Sequence, residues 1–94
     1  PPVVNIDFDP EPGAPRAALV HDVNHRWTHF APVAASGALA NVRSVDELVD
    51  AVRTALADPA AGRAARARIA AYVCGFTDGG NGARLLDAIA DFAA

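Results

Sequence analysis

A short apolar run at the start of the chain constrains the fold more than any other feature. The run contains Val3, Val4, Ile6 and Phe8, and it lies between two prolines and an acidic, proline-rich loop. β-Branched and aromatic side chains pack well on a pleated surface, and a near-continuous apolar run is typical of a strand buried on both faces. Proline cannot donate to the hydrogen-bonding ladder, so the prolines mark the strand ends. The sequence therefore predicts an inner strand of an α/β sheet.

Polar side chains gather at the carboxyl end of this predicted strand. They are Asn5, Asp7, Asp9 and Glu11. In open α/β sheets, ligands bind in the crevice beyond the carboxyl ends of the parallel strands. Asn5, Asp7 and Asp9 are therefore candidate ligand-binding residues. The alternative is that these side chains belong to a solvated loop, since loops usually carry such charge.

Length and charge exclude several kinds of protein. The 94 residues suffice for one small domain or domain fragment. Eight arginines, no lysine and eleven acidic residues give a net charge of −3, which argues against general nucleic-acid binding. A few arginines can still meet a single phosphate or pyrophosphate. No apolar run approaches the roughly 20 residues needed to cross a bilayer, so we expect no membrane span and a cytoplasmic location.

The region that follows the first strand has no clear periodicity. Between Asp9 and Arg26 the sequence predicts a long loop, with residues 17–20 as a possible short strand. His21, His25 and His29 are spaced by four, so a continuous helix would place them on one face, where imidazoles can bind zinc or copper. Asp22, Asn24 and Pro32 disfavour one unbroken helix. We therefore predict no metal site, and a histidine-based metal site remains the weakest of the hypotheses.

Arg26 and His29 form a second group of candidates. Histidine and arginine near a loop-to-helix junction can meet an anionic group. The alternative is that the neighbouring Trp27 and Phe30 anchor the loop to the core while the polar side chains face water. A short helix is predicted from about residue 28 or 31 to Ser36, and it is closed by a glycine.

The second half of the chain is predicted to be helical. A short strand over residues 38–43 is followed by a capping box, in which Ser44 and Glu47 open a helix. Asp58 is expected to cap the next helix, which runs from Pro59 to about Val73. Asn81 is the expected cap of the last helix, whose apolar stripe consists of Leu85, Leu86, Ile89 and Phe92. The predicted fold is thus α/β, with two short parallel strands in residues 1–43 and three to four helices, three of them in residues 44–94.

The order of these phrases resembles the C-terminal segment of a GT-B nucleotide-sugar glycosyltransferase or a related CDP-glycerol-type glycerophosphotransferase. The phrases that carry the resemblance are Pro2-Val3-Val4, His29-Phe30, Ser36-Gly37, Ser44-Val45-Asp46-Glu47-Leu48, Leu56-Ala57-Asp58-Pro59, and Asp78-Gly79 followed by Ala83-Arg84. The resemblance implies a Rossmann-like domain. It also implies that Asn5, Asp7 and Asp9 lie where the donor sugar or phosphates approach, and that Arg26 or His29 meets the donor pyrophosphate.

The resemblance has consequences for partners. It implies a nucleotide-activated sugar or polyol as donor, no cofactor and no metal. The acceptor domain and the glycine-rich donor loops are not in these 94 residues, so we expect the segment to be inactive without an N-terminal domain or partner chain. The alternative is a small non-catalytic α/β or helical interaction module that buries its last helix against a partner.

One structural expectation follows from either hypothesis. Two parallel strands do not make an independent covered sheet, because three or more strands are usually needed. We therefore predict an exposed apolar patch on the strand pair or on the last helix when the chain is seen alone. The test residues are Val3, Ile6, Leu86 and Phe92.

Overall fold

The computed structural model describes residues 1–11 and 13–94, so Pro12, within the predicted loop, lies outside the described residues. The described elements are two strands and five helices. In chain order they are β1 (Val4–Ile6), α1 (Pro15–His25), α2 (Ala31–Ala34), β2 (Ala40–Val42), α3 (Val45–Ala57), α4 (Arg63–Cys74) and α5 (Asn81–Ala93). The molecule is therefore a mixed α/β structure.

The two strands form a parallel pair, as the sequence predicts. Val4 lies opposite Ala40, Asn5 opposite Asn41, and Ile6 opposite Val42. Because side chains alternate between the faces of a sheet, asparagines occupy one face and apolar residues the other. On the asparagine face, the Asn41 amide donates to the carbonyl of Ala34 in α2 at 2.8 Å. Helix α3 packs against both strands on the apolar face.

Helix α1 corrects the prediction of a long loop before Arg26. Residues 15–25 form a helix of three turns, so residues 17–20 are helical and not the possible short strand. Pro15 lies in the first turn, where its fixed φ suits a helix and its missing N–H costs nothing. The sequence pattern does not indicate this helix, because its buried residue is the polar Asn24 and not an apolar one. The predicted three to four helices are consequently five.

The histidines are divided by the end of this helix. His21 and His25 both lie in α1, with ring centroids 4.8 Å apart. The helix ends at His25, so His29 lies beyond it and cannot share the same helical face. The expected break in the histidine series is therefore present.

The capping box of α3 is confirmed. Ser44 Oγ accepts a hydrogen bond from the Glu47 N–H at 3.1 Å. The Glu47 carboxylate reaches back to the N–H of Arg43 at 2.7 Å, one residue earlier than in the usual motif. These two bonds satisfy backbone donors at the start of the helix and fix its position after β2.

Helix α4 begins later than predicted, and α5 lacks the predicted cap. Asp58 Oδ1 accepts from the N–H groups of Ala60 and Ala61, both at 3.1 Å, and this turn delays the start of α4 to Arg63. Gly62, at φ +71°, makes the transition into the helix. The predicted cap of α5 is wrong, because the Asn81 amide donates to the carbonyl of Phe76 at 3.2 Å and gives α5 no side-chain cap.

The covered core is small and the molecule is extended. Among the described residues, the buried apolar side chains are Ala34, Ala38 and Val42. The radius of gyration is 17.4 Å, whereas a compact chain of this length has about 12 Å. Helices α4 and α5 pack on no other described element extensively. In the described part of the chain, none of the helices combines the length and the apolar composition that a membrane crossing requires.

The predicted exposed apolar patch is confirmed. The four test residues, Val3, Ile6, Leu86 and Phe92, are all exposed. Phe92 on α5 is 95% exposed, and its stripe neighbours Leu85 and Ile89 are also exposed. The strand pair and α5 thus present apolar side chains that these 94 residues do not cover.

Candidate functional site

A polar cluster lies at the carboxyl end of β1, and Asp7 is its centre. The Asp7 N–H extends the sheet by donating to the carbonyl of Val42 at 2.8 Å. Its side chain is only 4% exposed. Asp7 Oδ2 lies 2.6 Å from His25 Nε2, and Oδ1 accepts from the Asn24 amide at 3.0 Å. Two residues from the last turn of α1 therefore hold this carboxylate.

Arg43 joins the cluster from the second strand. It directly follows β2, just as Asp7 follows β1, and parallel strands bring their carboxyl ends to one edge. Arg43 Nε lies 3.7 Å from Asp7 Oδ2, the same oxygen that His25 contacts. Two basic side chains from different elements thus converge on one carboxylate oxygen.

The surroundings of Asp7 favour its charged form. Removal of the carboxylate from water raises its pKa, but the hydrogen bonds from His25 and Asn24 and the charges of His25 and Arg43 outweigh this effect. The pKa of Asp7 is therefore lowered from its ordinary value. At neutral pH, Asp7 is an ionised residue that anchors its partners.

Asn24 links the cluster to the asparagine face of the sheet. It is 4% exposed, and its amide donates to the Ile6 carbonyl at 3.3 Å as well as to Asp7. Its oxygen accepts from Asn5 at 3.1 Å, and Asn5 also donates to Asn41 at 2.9 Å. No buried side-chain nitrogen or oxygen of the described residues lacks a hydrogen-bond partner. The network is closed, so these amides are occupied within the protein.

Asp9 forms a second anchored carboxylate. The Glu11 N–H donates to its Oδ1 at 2.9 Å, and Arg16 at the start of α1 forms an ion pair with its Oδ2. The Asp9 side chain is 3% exposed, whereas the Arg16 side chain is largely exposed. The backbone N–H of Glu11 and then the hydrogen bond from Arg16 lower the pKa of Asp9. Asp9 therefore orients Arg16 and stays ionised.

The other two predicted site residues lie apart from Asp7 and Asp9. Arg26 Nη1 is 3.3 Å from Asp22 Oδ1, one turn earlier in the chain. The His29 ring stacks beside Trp27 at 5.6 Å and lines a cleft that Asn5 also borders. Within the described part of the chain, neither residue forms a hydrogen bond or an ion pair with Asp7 or Asp9. The structure brings Asn5 and Asp7 into one hydrogen-bonding network. Asp9 pairs with Arg16 of α1, the helix that also supplies Asn24 and His25.

Four residues of the cluster were missed by sequence reasoning. Arg16, Asn24, His25 and Arg43 enter it through α1 and through the end of β2. Arg43 had a signal, because it follows β2 at the position that Asp7 holds after β1. His25 was a candidate only for the histidine metal site, and Arg16 and Asn24 had no signal, because their roles depend on how α1 packs against β1.

The cluster does not have the composition of a metal centre. In residues 1–11 and 13–94, no group of three or more His, Cys, Asp or Glu side chains is placed to hold a metal ion.

Comparisons of the chain with protein-family models, with curated proteins and with solved structures found no match. Function is therefore inferred from the geometry of the cluster and from the ordered sequence phrases.

The lowered pKa of Asp7 leads to a prediction about acid stability. A carboxylate whose folded pKa is depressed adds stability above its unfolded pKa and loses it as the pH falls through the folded value, here below about pH 4. We expect Asp7→Asn to be less stable than the wild type at pH 7. The difference should shrink at pH 3, as measured by urea denaturation at both values.

The matched control is Asp50→Asn, because Asp50 is exposed and lies in a surface ion pair with Arg53. It should leave the acid dependence of the wild type intact. Identical pH profiles for Asp7→Asn and the wild type would show that Asp7 has no such role.

Proposed function

We propose that this chain is the nucleotide-donor-binding C-terminal part of a glycosyltransferase or a CDP-glycerol-type glycerophosphotransferase. The observation that carries the proposal is the meeting of His25 and Arg43 on Asp7, at the carboxyl ends of two parallel strands. This edge is where open α/β sheets bind their ligands. The ordered sequence phrases of such transferases support the same function.

The geometry changes the roles of the two aspartates that the sequence predicts as donor contacts. Asp7 and Asp9 are covered and already bonded, so their function is to position the basic side chains. Arg16, His25 and Arg43 are exposed at the same end of the sheet. Guanidinium groups bind phosphate oxygens through paired hydrogen bonds, and an arginine held by a carboxylate loses less side-chain freedom when it does so. These three residues are our candidates for contact with the donor pyrophosphate.

The proposed chemistry is displacement of a nucleotide leaving group without a metal ion. Negative charge develops on the leaving phosphate in the transition state, and fixed cations beside it stabilise that charge. Asn5 is bonded to Asn24 and Asn41, so it supports the cluster, and His29 remains a secondary candidate for contact with the donor. Arg26 is paired with Asp22 and remains a secondary candidate. The acceptor and its general base belong to polypeptide outside these residues.

A nucleotide titration tests the proposal. We expect addition of CDP or UDP to the ¹⁵N-labelled chain to shift the amide signals of Arg43 and His25 in a saturable way, with Kd in the millimolar range because half of the site is missing. Arg43→Gln should weaken binding about fivefold, since a charge-assisted hydrogen bond contributes roughly 1 kcal/mol or more. The measurement is a series of two-dimensional NMR spectra up to about 10 mM nucleotide.

The matched control is Arg53→Gln, because Arg53 is an exposed arginine on α3 in a surface pair with Asp50. It should bind CDP and UDP like the wild type. Unchanged spectra with both nucleotides, or equal weakening by the two arginine variants, would refute donor binding at this edge.

A non-catalytic interaction module is the second candidate, and the exposed stripe of α5 favours it. Leu85, Leu86, Ile89 and Phe92 lie uncovered along one helix, which is typical of a surface that another protein covers. For this function the nucleotides should leave the signals of the Asp7 cluster unchanged. The same titration therefore separates the two candidates.

A further inference from the structure

A cleft of about 1010 Å³ runs along β1, and Asn5 is the residue of the polar network that lines it. Val4 and Asn5 of β1 both line it, whereas none of the β2 residues Ala40–Val42 does. Neighbouring side chains of a strand point to opposite faces, so a cleft that touches both Val4 and Asn5 reaches around the free edge of β1. We call it the β1 slot.

The backbone of β1 faces this slot with unused hydrogen-bonding groups. Toward β2, the Val3 carbonyl accepts from Ala40 at 3.0 Å and the Asp7 N–H donates to Val42 at 2.8 Å. In a parallel ladder alternate residues bond to the same neighbour, so Val3, Asn5 and Asp7 face β2. The N–H and C=O of Val4 therefore point away from β2. On this edge the Ile6 carbonyl accepts from the Asn24 amide, whereas the N–H and C=O of Val4 have no hydrogen-bond partner among the described residues.

The walls of the β1 slot come from two helical regions. Phe30 and Val33 line it from α2 and the residue before it, and Ile69, Ala70 and Val73 line it from α4. These side chains are apolar. Parallel strands are covered by helices and carry apolar side chains, so the slot has the surroundings that such a strand requires.

The size of the β1 slot also fits a strand. A strand rises about 3.3 Å per residue, lies about 4.8 Å from its neighbour and spans about 10 Å between layers, so six residues fill about 950 Å³. The cleft of about 1010 Å³ is therefore large enough for a short strand. A six-residue strand is also of ordinary length for a globular protein.

Charge limits the chemistry of the occupant. The charged residues of the lining are Arg63 and Arg66, and among the described lining residues there is no carboxylate. Arg66 donates to the carbonyls of Pro59 and Ala61 at 3.0 and 2.6 Å. Arg63 forms no hydrogen bond or ion pair through its side chain with any described residue. An occupant with apolar side chains and one carboxylate opposite Arg63 complements the slot.

The β1 segment of a second copy lacks a carboxylate for Arg63, because residues 1–6 contain no Asp or Glu.

We propose that the β1 slot receives an extended β-strand from polypeptide outside these 94 residues. This strand pairs with the backbone of Val4 and lies between the α2 and α4 walls. It presents apolar side chains to both walls and a carboxylate to Arg63. The occupied slot extends the sheet beyond β1 and covers apolar side chains that the chain alone exposes. The inference does not depend on donor binding at the Asp7 cluster.

Hydrogen–deuterium exchange tests the proposal. The protein isolated from its natural source is compared with the 94-residue chain produced alone, and exchange is followed at single-amide resolution. We expect the Val4 amide to exchange at least tenfold more slowly in the natural protein, because its N–H is hydrogen-bonded there. The Asn5 amide faces β2 and is the internal control, with protection in both samples.

A second readout uses Cys74, which is the only cysteine of these 94 residues, is exposed and lines the β1 slot. Its labelling by a bulky maleimide, located by peptide mapping, should be slower in the natural protein than in the chain alone. Equal Val4 exchange in the two samples would overturn the proposal. Protection that appears only in a homodimer seen by native mass spectrometry would also overturn it. Neither outcome bears on the nucleotide titration.

Discussion

Replacement of Asn24 by alanine is expected to lower the free energy of unfolding by about 3 kcal/mol, because it leaves several covered polar groups without a partner. The Asn24 amide donates to Asp7 and to the Ile6 carbonyl, and its oxygen accepts from Asn5. Asn24 is only 4% exposed. Urea denaturation followed by circular dichroism measures the change.

A second variant separates hydrogen bonding from volume. Asn24→Asp keeps the size of the side chain but places a carboxylate beside Asp7, where it cannot donate and where like charges repel. We expect this variant to be at least as unstable as Asn24→Ala at pH 7 and to recover part of its stability below pH 5, where the added carboxyl is protonated. Asn81→Ala is the control, because Asn81 is exposed at the first residue of α5. A wild-type stability for Asn24→Asp at pH 7 would mean that only volume matters at this position.

Replacement of Val42 by alanine is expected to cost about 2 kcal/mol, since it removes two methyl groups from a close-packed position. Val42 is 2% exposed and is the largest fully buried side chain of the described chain. It lies opposite Ile6 on the sheet face that α3 covers. Few other side chains are buried in this core, so the expected loss of unfolding free energy is a large part of the total stability of the chain.

The matched control is Val73→Ala on α4. Val73 is 60% exposed, and surface substitutions of this kind usually change the stability by no more than about 0.5 kcal/mol. Both variants are measured by urea denaturation under the same conditions. Equal effects of the two substitutions would show that Val42 does not anchor a core, or that another surface covers α4.

These predictions concern the part of the molecule that holds the candidate site. The Asp7 cluster, Asn24 and Val42 all lie where α1, α2 and α3 meet the two strands. Helices α4 and α5 extend from this region and expose most of their apolar side chains. The site can therefore be ordered in the chain alone, although the apolar side chains of α4 and α5 are uncovered.

Local features of the fold could be predicted from the sequence alone. The apolar run before Asp7 predicted β1, and the Ser44 and Glu47 pair predicted the start of α3, because both depend on neighbouring residues along the chain. The same holds for the α5 stripe, whose exposure follows from having too few strands and helices to cover it. Asp7 was a predictable candidate because strand ends in α/β sheets are binding edges.

Only the tertiary structure decided which residues meet at that edge. Helix α1 was missed because its inward face carries Asn24 and His25, and polar side chains are buried in a helix only when partners from elsewhere satisfy them. Those partners are Asn5, Ile6 and Asp7, which lie 17 to 19 residues earlier in the chain. The tertiary contacts also change the roles of Asp7 and Asp9, which the sequence predicts to contact a ligand. Each carboxylate is bonded to side chains of the protein itself, so it positions those side chains: His25, Arg43 and Arg16.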